Sequence, residues 1–590
     1  MSVVTRAEGS RLVRTYRRVA PVALRRFIAA AVQPETRNRM LLRMAAVRSG
    51  VGREAACRAF VGLRERRWAR GTWTAVRAAG QVRVARVDPA ATPLSVRQYN
   101  GDLARRALGA AGVEFFTVRG SSPSRTVLGV SAEHRGRVLK ALAELARKLP
   151  GYARVIDELT GAARPLQPLA RAASAKRFRD AGVVRLVWYV TTSRGGPVFG
   201  DMYGCEIEFW EVRRDELAAP RRNTVTQRLP RHDATVIVPG ELFCPLASVH
   251  RPVLPQEPTR AQFAAYFVDD VLFPIDVVYT WVDGGDAQWR ARRDATLAQV
   301  SGAREVNAHA ASDARYENRD ELRYSLRSLD LYAPWVRRVF LVTDRQVPDW
   351  LDLSNPRVTV VDHTEIFGDP GCLPTFNSHA IESQLHRIPG LSEHFLYMND
   401  DVFLGAALTP QTFFHANGVA KFFRSPSLVD MGTPSVADSP VVAAGKNNRQ
   451  LIAESFGRVL TQKMKHTPHP LRRSVLQELE DRYPGAHAET AGHRFRHPGD
   501  VSVTSSLHQY YGYFAGHCVP GELDYAYADL AHRNTPRRLT SMLARRDKDV
   551  FCLNDTGTES GADPARREQQ TAMLRQFLEG YFPVPSSFEK

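Results

Sequence analysis

The sequence predicts an α/β protein in which a smaller α/β domain precedes a larger one built on a mostly parallel sheet. Three observations carry that prediction. Apolar runs end repeatedly in aspartate, at 339–344, 358–362 and 395–401. Helical patterns lie between those runs, which is the alternation a parallel sheet requires. At 590 residues the chain is also too long for one hydrophobic core.

Composition narrows the function classes. An apolar share of 44% with 9% aromatic residues is that of a folded chain. No window offers 18 consecutive apolar residues, so no membrane span is expected. Arg11, Arg14, Arg17, Arg18, Arg25 and Arg26 interrupt every candidate signal core, which makes a cytoplasmic start the expectation. Six dispersed cysteines without a CxxC pair point to neither a zinc ribbon nor a small disulfide framework. The formal charge of +19 comes from arginine spread along the whole chain, with no helix-turn-helix, finger or aromatic sheet motif beside it. Nucleic acid is therefore not an expected partner. The excess suits polyanionic glycans, nucleotide phosphates or acidic lipid headgroups.

Residues 1–74 read as a basic helical segment, with eleven arginines and two acids in the first 50. Its amphipathic pattern fits peripheral contact with an anionic membrane or packing on the next domain. Residues 75–215 read as the small α/β domain, with strands near 82–87, 113–118 and 184–190 and helices near 96–111 and 133–148. The run 205–212 alternates with period two and predicts a half-exposed strand whose acids face water or a ligand. Residues 216–272 are rich in Pro and Arg and predict a linker or wrapping segment.

The second domain spans 273–560, with 427–500 as a helical insertion or cover and 561–590 as a tail. It opens on a buried strand carrying Asp276, followed by an acidic Gly-rich turn with Asp283, Gly284 and Gly285. Neither a dinucleotide fingerprint nor a P-loop is present. A helix at 318–329 stacks Arg319, Arg323 and Arg327 every four residues. A bound phosphate or nearby acids such as Asp320 must offset those charges. Asp400 and Asp401 end the most apolar strand, and adjacent carboxylates persist most readily beside a cation or with one proton shared. His466 and His469 flank Pro468 in a segment open to three readings: a metal pair, an ionic turn or a catalytic site. His493 to His497 reads as a basic patch around Arg496, and Asn554 with Asp555 reads equally as a helix cap or turn.

Segments 275–284, 315–350, 373–405, 466–496 and 552–556, in that order, resemble the conserved regions of the Stealth proteins. These are bacterial capsular and exopolysaccharide sugar-phosphate transferases, related to animal N-acetylglucosamine-1-phosphotransferase. The resemblance covers about 275–560. It implies a glycosyltransferase-like (GT-A-like) nucleotide-binding sheet, a divalent Mg2+ or Mn2+ ion, and transfer of a hexose-1-phosphate. The donor is a nucleotide-diphosphate sugar and the acceptor a hydroxyl of an oligosaccharide or polysaccharide. Residue by residue, it assigns His466, Arg496, Asp401 and Asn554 to catalysis. It assigns Asp276, Asp283, Arg319, Asp320 and Arg323 to the nucleotide side, and Asp400, Asp401 and Asp555 to the metal. A metal-dependent glycosyltransferase and a non-catalytic glycan-binding protein are the competing readings.

Overall fold

The computed structural model describes residues 72–120, 122–301, 313–555 and 564–590, so residues 1–71 of the basic segment 1–74 lie outside the described residues, and its last two begin the strand Trp73–Ala78. Among these residues no helix is long and apolar enough to cross a membrane. The five described cysteines are free thiols.

In the first domain, Cys205–Arg213 runs parallel to Thr126–Ser131 and antiparallel to Val183–Val187. Helices Pro93–Ala110 and Arg135–Lys148 bury Leu103, Leu108, Val138 and Leu142 against that sheet. The expected half-exposed strand is not half exposed: Cys205 to Trp210 are all buried. Glu206 pairs with Arg185 and Arg221, and Glu208 accepts from Arg221 Nε at 2.8 Å and Trp210 Nε1 at 3.1 Å. Period-two polarity cannot distinguish water from a buried guanidinium as the partner of a carboxylate. Residues 216–272 wrap this domain. They add strands Glu216–Ala218 and Arg228–Pro230, and they bury Phe243 and Phe263 against Phe116 and Trp210.

The second domain is organised by a five-stranded sheet. Its parallel strands are β1 (Ile275–Thr280), β2 (Val339–Thr343), β3 (Val358–Asp362) and β4 (His394–Asn399). A short β5 (Val402–Leu404) follows, and β6 (His469–Arg472) closes the sheet antiparallel to β4, giving the order β3-β2-β1-β4-β6. Alternate residues enter two separate cores. Val277, Tyr279, Leu341, Leu396 and Met398 face one, and Val278, Phe340, Val342, Phe395 and Tyr397 face the other. Burial on both faces is why these strands read as continuous apolar runs. β5 belongs to a second sheet with β7 (Tyr525–Asp529) and β8 (Val550–Asn554), in the order β5-β8-β7.

Helix α1 (Glu321–Tyr332) buries Leu322, Leu326 and Leu329 in the first core. Its arginine row is neutralised from far along the chain: Glu589 accepts from Arg323 Nε at 2.6 Å and from Arg327 Nε and Nη2 at 2.7 Å each. The described part of the expected tail, 564–590, is therefore part of the fold, and Leu574, Phe577, Leu578 and Phe588 are core residues. Helix α2 (Pro440–Phe456) is anchored by Asn448 to Ser502, and by Arg449 to the carbonyls of Val429, Asp430 and Leu460. Helices α3 (Arg473–Arg482) and α4 (Pro484–Gly492) follow β6.

Burial pulls the Glu589 carboxyl upward, but hydrogen bonds from Arg327, the Ser586 N–H and Arg323 outweigh it and hold the group at about 2. A depressed carboxylate contributes stability above its unfolded value and loses it as pH falls through the folded value. Glu589→Gln should cost on the order of 2 kcal/mol at pH 7. In thermal unfolding scans, the gap to wild type should narrow as pH drops from about 4.5 towards 2.

Candidate active site

The parallel register brings Thr280 of β1 beside Asn399 of β4, so both strands end at one edge. Asp400 and Asp401 form the turn between β4 and β5. Because β5 pairs with β8, with Val402 opposite Cys552, the turn lands against the last block of the sequence. The Leu553 N–H donates to the Asp401 carbonyl at 3.0 Å. Asn554 and Asp555 thereby reach the same rim. His466 comes from the segment preceding β6, whose His469 lies opposite Tyr397. Arg496 follows α4, in a stretch fastened by the Phe376 N–H to the Arg494 carbonyl at 2.7 Å and by Phe495 stacked on Phe376 at 5.3 Å. These residues line a cavity of about 360 Å3.

One side of the cavity is crowded with acids. Burial holds the Asp400 carboxyl well above the usual carboxylate range, and the charges of Glu321 and Asp401 push it further. Burial raises Glu321 to about 7, against hydrogen bonds that include one from the Arg319 N–H at 2.7 Å. Asp401 Oδ1 is buried with no hydrogen-bond partner among the described residues. An orphaned carboxylate oxygen beside two further acids fits a hard divalent cation such as Mg2+ or Mn2+. Asp555 is committed in part elsewhere, since its Oδ2 accepts from Arg319 Nη2 at 2.8 Å.

The same cavity is also lined by cations. Burial and the adjacent charge of Arg496 bring Arg315 down to about 9. The two guanidiniums are close enough to repel each other. Arg496 Nη2 donates to Ser378 Oγ at 2.7 Å, while its Nε is buried without a hydrogen-bond partner among the described residues.

His466 stands at the acidic end. Its Nε2 lies 3.0 Å from Asn399 Oδ1, and Asn399 Nδ2 lies 3.3 Å from Tyr397 OH. Tyr397 OH in turn lies 2.9 Å from Thr280 Oγ1, so a polar chain from the sheet interior orients the imidazole. The His466 Nδ1 side meets Cys552 Sγ at 3.4 Å and Asp401 Oδ2 at 3.7 Å. Cys552 Sγ lies 3.2 Å from Asp401 Oδ2, and burial together with that carboxylate keeps it a protonated thiol. His469 is buried, stacked on Tyr397 and pushed down to about 3 by burial, which suits a neutral brace.

Asp400, Asp401, His466, Arg496, Asn554 and Asp555 thus meet in one cavity, with Arg319 on its wall. Asp276, Asp283, Asp320 and Arg323 are not among its lining residues. Asp276 sits near the amino end of β1, where Arg337 grips both its oxygens at 2.8 and 2.5 Å and the Ser392 N–H donates at 2.8 Å. It is a buried structural anchor at the far edge of the sheet. Asp283 Oδ1 accepts the Gly285 N–H at 2.8 Å, a local turn. Gly284 is required by the backbone of Tyr316 rather than by a ligand, for a Cβ there would stand 2.3 Å from that carbonyl oxygen. Asp320 turns the chain into α1 in the left-handed region, at φ 65°, and Arg323 serves Glu589. Of the segment 427–500, expected as a helical insertion or cover, His466 and Arg496 line the cavity. Sequence reasoning did not assign Arg315, Asn399 or Cys552 to the site, and it took Glu321, like Asp320, only as an offset to the helix arginines. Asn399 adjoins the Asp pair and Cys552 shares a strand face with Asn554, which were the available signals.

A parallel sheet covered on both faces, with acids, an imidazole and guanidiniums at its carboxyl edge, defines an α/β transferase site. The chain belongs to the Stealth family. The four conserved regions of the Stealth proteins match at 273–301 (region 1), 315–422 (region 2), 465–513 (region 3) and 541–590 (region 4). An exopolysaccharide phosphotransferase of Streptomyces coelicolor is 48% identical, covering 99% of this chain and 98% of that protein. A second from the same organism is 44% identical, covering 99% of each chain. The exopolysaccharide phosphotransferase CpsY of Mycobacterium tuberculosis is 36% identical, over 86% of this chain and 91% of that one. Among solved structures, the galactosyltransferase LgtC in complex with donor and acceptor sugar analogs aligns over 51% of this chain and 95% of that chain. At 12% identity and a TM-score of 0.25, the likeness carries no argument.

A carboxyl whose folded value is raised destabilises the fold as pH climbs from its unfolded value through the folded one. Glu321→Gln should therefore raise the melting temperature of the metal-free protein at pH 8. It should also flatten the decline that the wild type shows between about pH 4.5 and 7. An unchanged or lowered melting temperature would show that the acids do not strain one another.

Proposed function

We propose that the protein transfers a hexose-1-phosphate from a nucleotide-diphosphate sugar to a sugar hydroxyl of a growing polysaccharide. The observation that carries this reading is the meeting, within one cavity, of the Asp400–Asp401–Glu321 acids and His466 with the Arg315–Arg496 pair. The similarity to proteins named exopolysaccharide phosphotransferases supports it.

The acceptor oxygen attacks the β-phosphorus, and the bond from that phosphorus to the oxygen of the nucleoside monophosphate breaks. The products are a phosphodiester and the free monophosphate. His466 takes the proton of the acceptor hydroxyl. Arg496, with Arg315 behind it, holds the non-bridging phosphate oxygens as charge redistributes around phosphorus. Asn399 sets the imidazole, and Asn554 supplies an amide at the same wall. Asp400 and Asp401 would hold the divalent ion, which when bound neutralises the diphosphate and stabilises the leaving group. Arg319 keeps Asp555 turned to the rim.

The test is a panel of nucleotide-sugar donors assayed on short oligosaccharides, with the linkage read by phosphorus NMR. Donor phosphorus should appear in a product diester, and a product without it would establish glycosyl transfer instead. Arg496→Lys should lower kcat/KM by about 100-fold through loss of the forked contact. His466→Gln should cost about 100- to 10,000-fold. Asp401→Ala should abolish turnover with a nearly unchanged melting temperature, because crowded like charges contribute little to folding.

A further inference from the structure

Outside the catalytic cavity, the turn that follows α4 gathers a second set of donor side chains. Glu489, His493 and His497 each offer one ligand atom, and the three atoms lie within 4.8 Å of one another. The two imidazole rings stack with centroids 4.0 Å apart. Behind them Asp500 is fully buried, with Oδ1 2.7 Å from His493 Nδ1 and Oδ2 3.3 Å from His379 Nδ1. Asp500 Oδ2 also accepts from Asn377 Nδ2 and from the His497 backbone N–H, each at 2.9 Å. By accepting the Nδ1–H of His493, the carboxylate selects the tautomer whose Nε2 carries the lone pair. A carboxylate behind an imidazole is the support that metal-bound histidines usually have.

Gly499 lies against the same cluster, and its N–H donates to His497 Nδ1 at 3.1 Å, which places the lone pair of that imidazole on Nδ1, where an ion would take it instead. A Cβ at this position would stand 2.8 Å from Glu489 Oε1 and 3.2 Å from His497 Nδ1. Glycine is what lets the helix carboxylate and the loop imidazole close on one point.

We infer that Glu489, His493 and His497 form a zinc-type cation site, with Asp500 as its carboxylate support. Two imidazoles and one carboxylate suit a borderline ion such as Zn2+, with a water completing four-coordination. The acids of the catalytic cavity suit a hard ion instead. Asp401, His466 and Cys552 also offer ligand atoms within 4.8 Å of one another, so the His466→Gln variant is what tells the two sites apart. Arg496 lies between the two histidine ligands, so a cation there clamps the backbone that presents its guanidinium to the cavity. Only that last consequence rests on the proposed function; binding of the ion does not.

The full chain, stripped of metal, is titrated with Zn2+ against a chromogenic chelator in excess Mg2+. One zinc equivalent should bind. His497→Gln and Glu489→Gln should each weaken it by at least about 100-fold, while His466→Gln, in the catalytic cavity, should leave it in place. Zinc should raise the melting temperature of the wild type and not that of Glu489→Gln. Glu489 is exposed, so this variant keeps the comparison available should His497→Gln fold poorly. No zinc uptake by the wild type, equal affinity in Glu489→Gln, or loss of the equivalent in His466→Gln would each overturn the site.

Discussion

The double burial of β1 and β4 is the constraint on which the rest of this structure depends. Their side chains alternate between two separate cores, so neither strand can slip by one residue without exchanging its cores. The register that sets Thr280 beside Asn399 therefore fixes where both strands stop. It also fixes where the chain must turn with Asp400 and Asp401 in hand. Tyr397 carries the same constraint outward: buried in the sheet, its hydroxyl joins Thr280 to Asn399, and Asn399 orients His466.

Electrostatics at that edge run against folding. The charge of Asp401 adds to the cost of Asp400 and Glu321, and that of Arg496 to the cost of Arg315 in the same cavity. A stable fold has no need of either cluster, and the cores beneath carry the expense. Elsewhere the chain resolves its charges internally. Glu589 neutralises Arg323 and Arg327, Arg337 neutralises Asp276, and Arg221 bridges Glu206 and Glu208. The contrast between satisfied ion pairs throughout the body and opposed, crowded charges in one cavity separates the site from its scaffold.

Much of this was legible in the residues. Apolar runs ending in aspartate announced a parallel sheet with an acidic edge, and the Asp400–Asp401 pair, His466, Arg496 and Asn554 do converge there. Asp276 illustrates what was not legible. It sits on the first strand of that sheet, yet at the opposite end, and only the strand's direction relative to the cavity decides between an anchor and a ligand contact. The strand Cys205–Arg213 illustrates the same limit, because its alternating acids face buried arginines that lie elsewhere in the chain. Cys552 went unnoticed because its closeness to Asp401 and His466 arises from pairing between β5 and β8, far apart in sequence.

The sequence by itself determined the class of fold, the order of its strands and helices, and which residue types were available for chemistry. Those properties follow from local periodicity and composition, which each segment carries alone. Tertiary structure decided which acids meet in the cavity and which are anchors, and it brought the carboxyl-terminal helix into the core. Those outcomes depend on register, direction and burial between segments hundreds of residues apart, and no single stretch of chain contains that information.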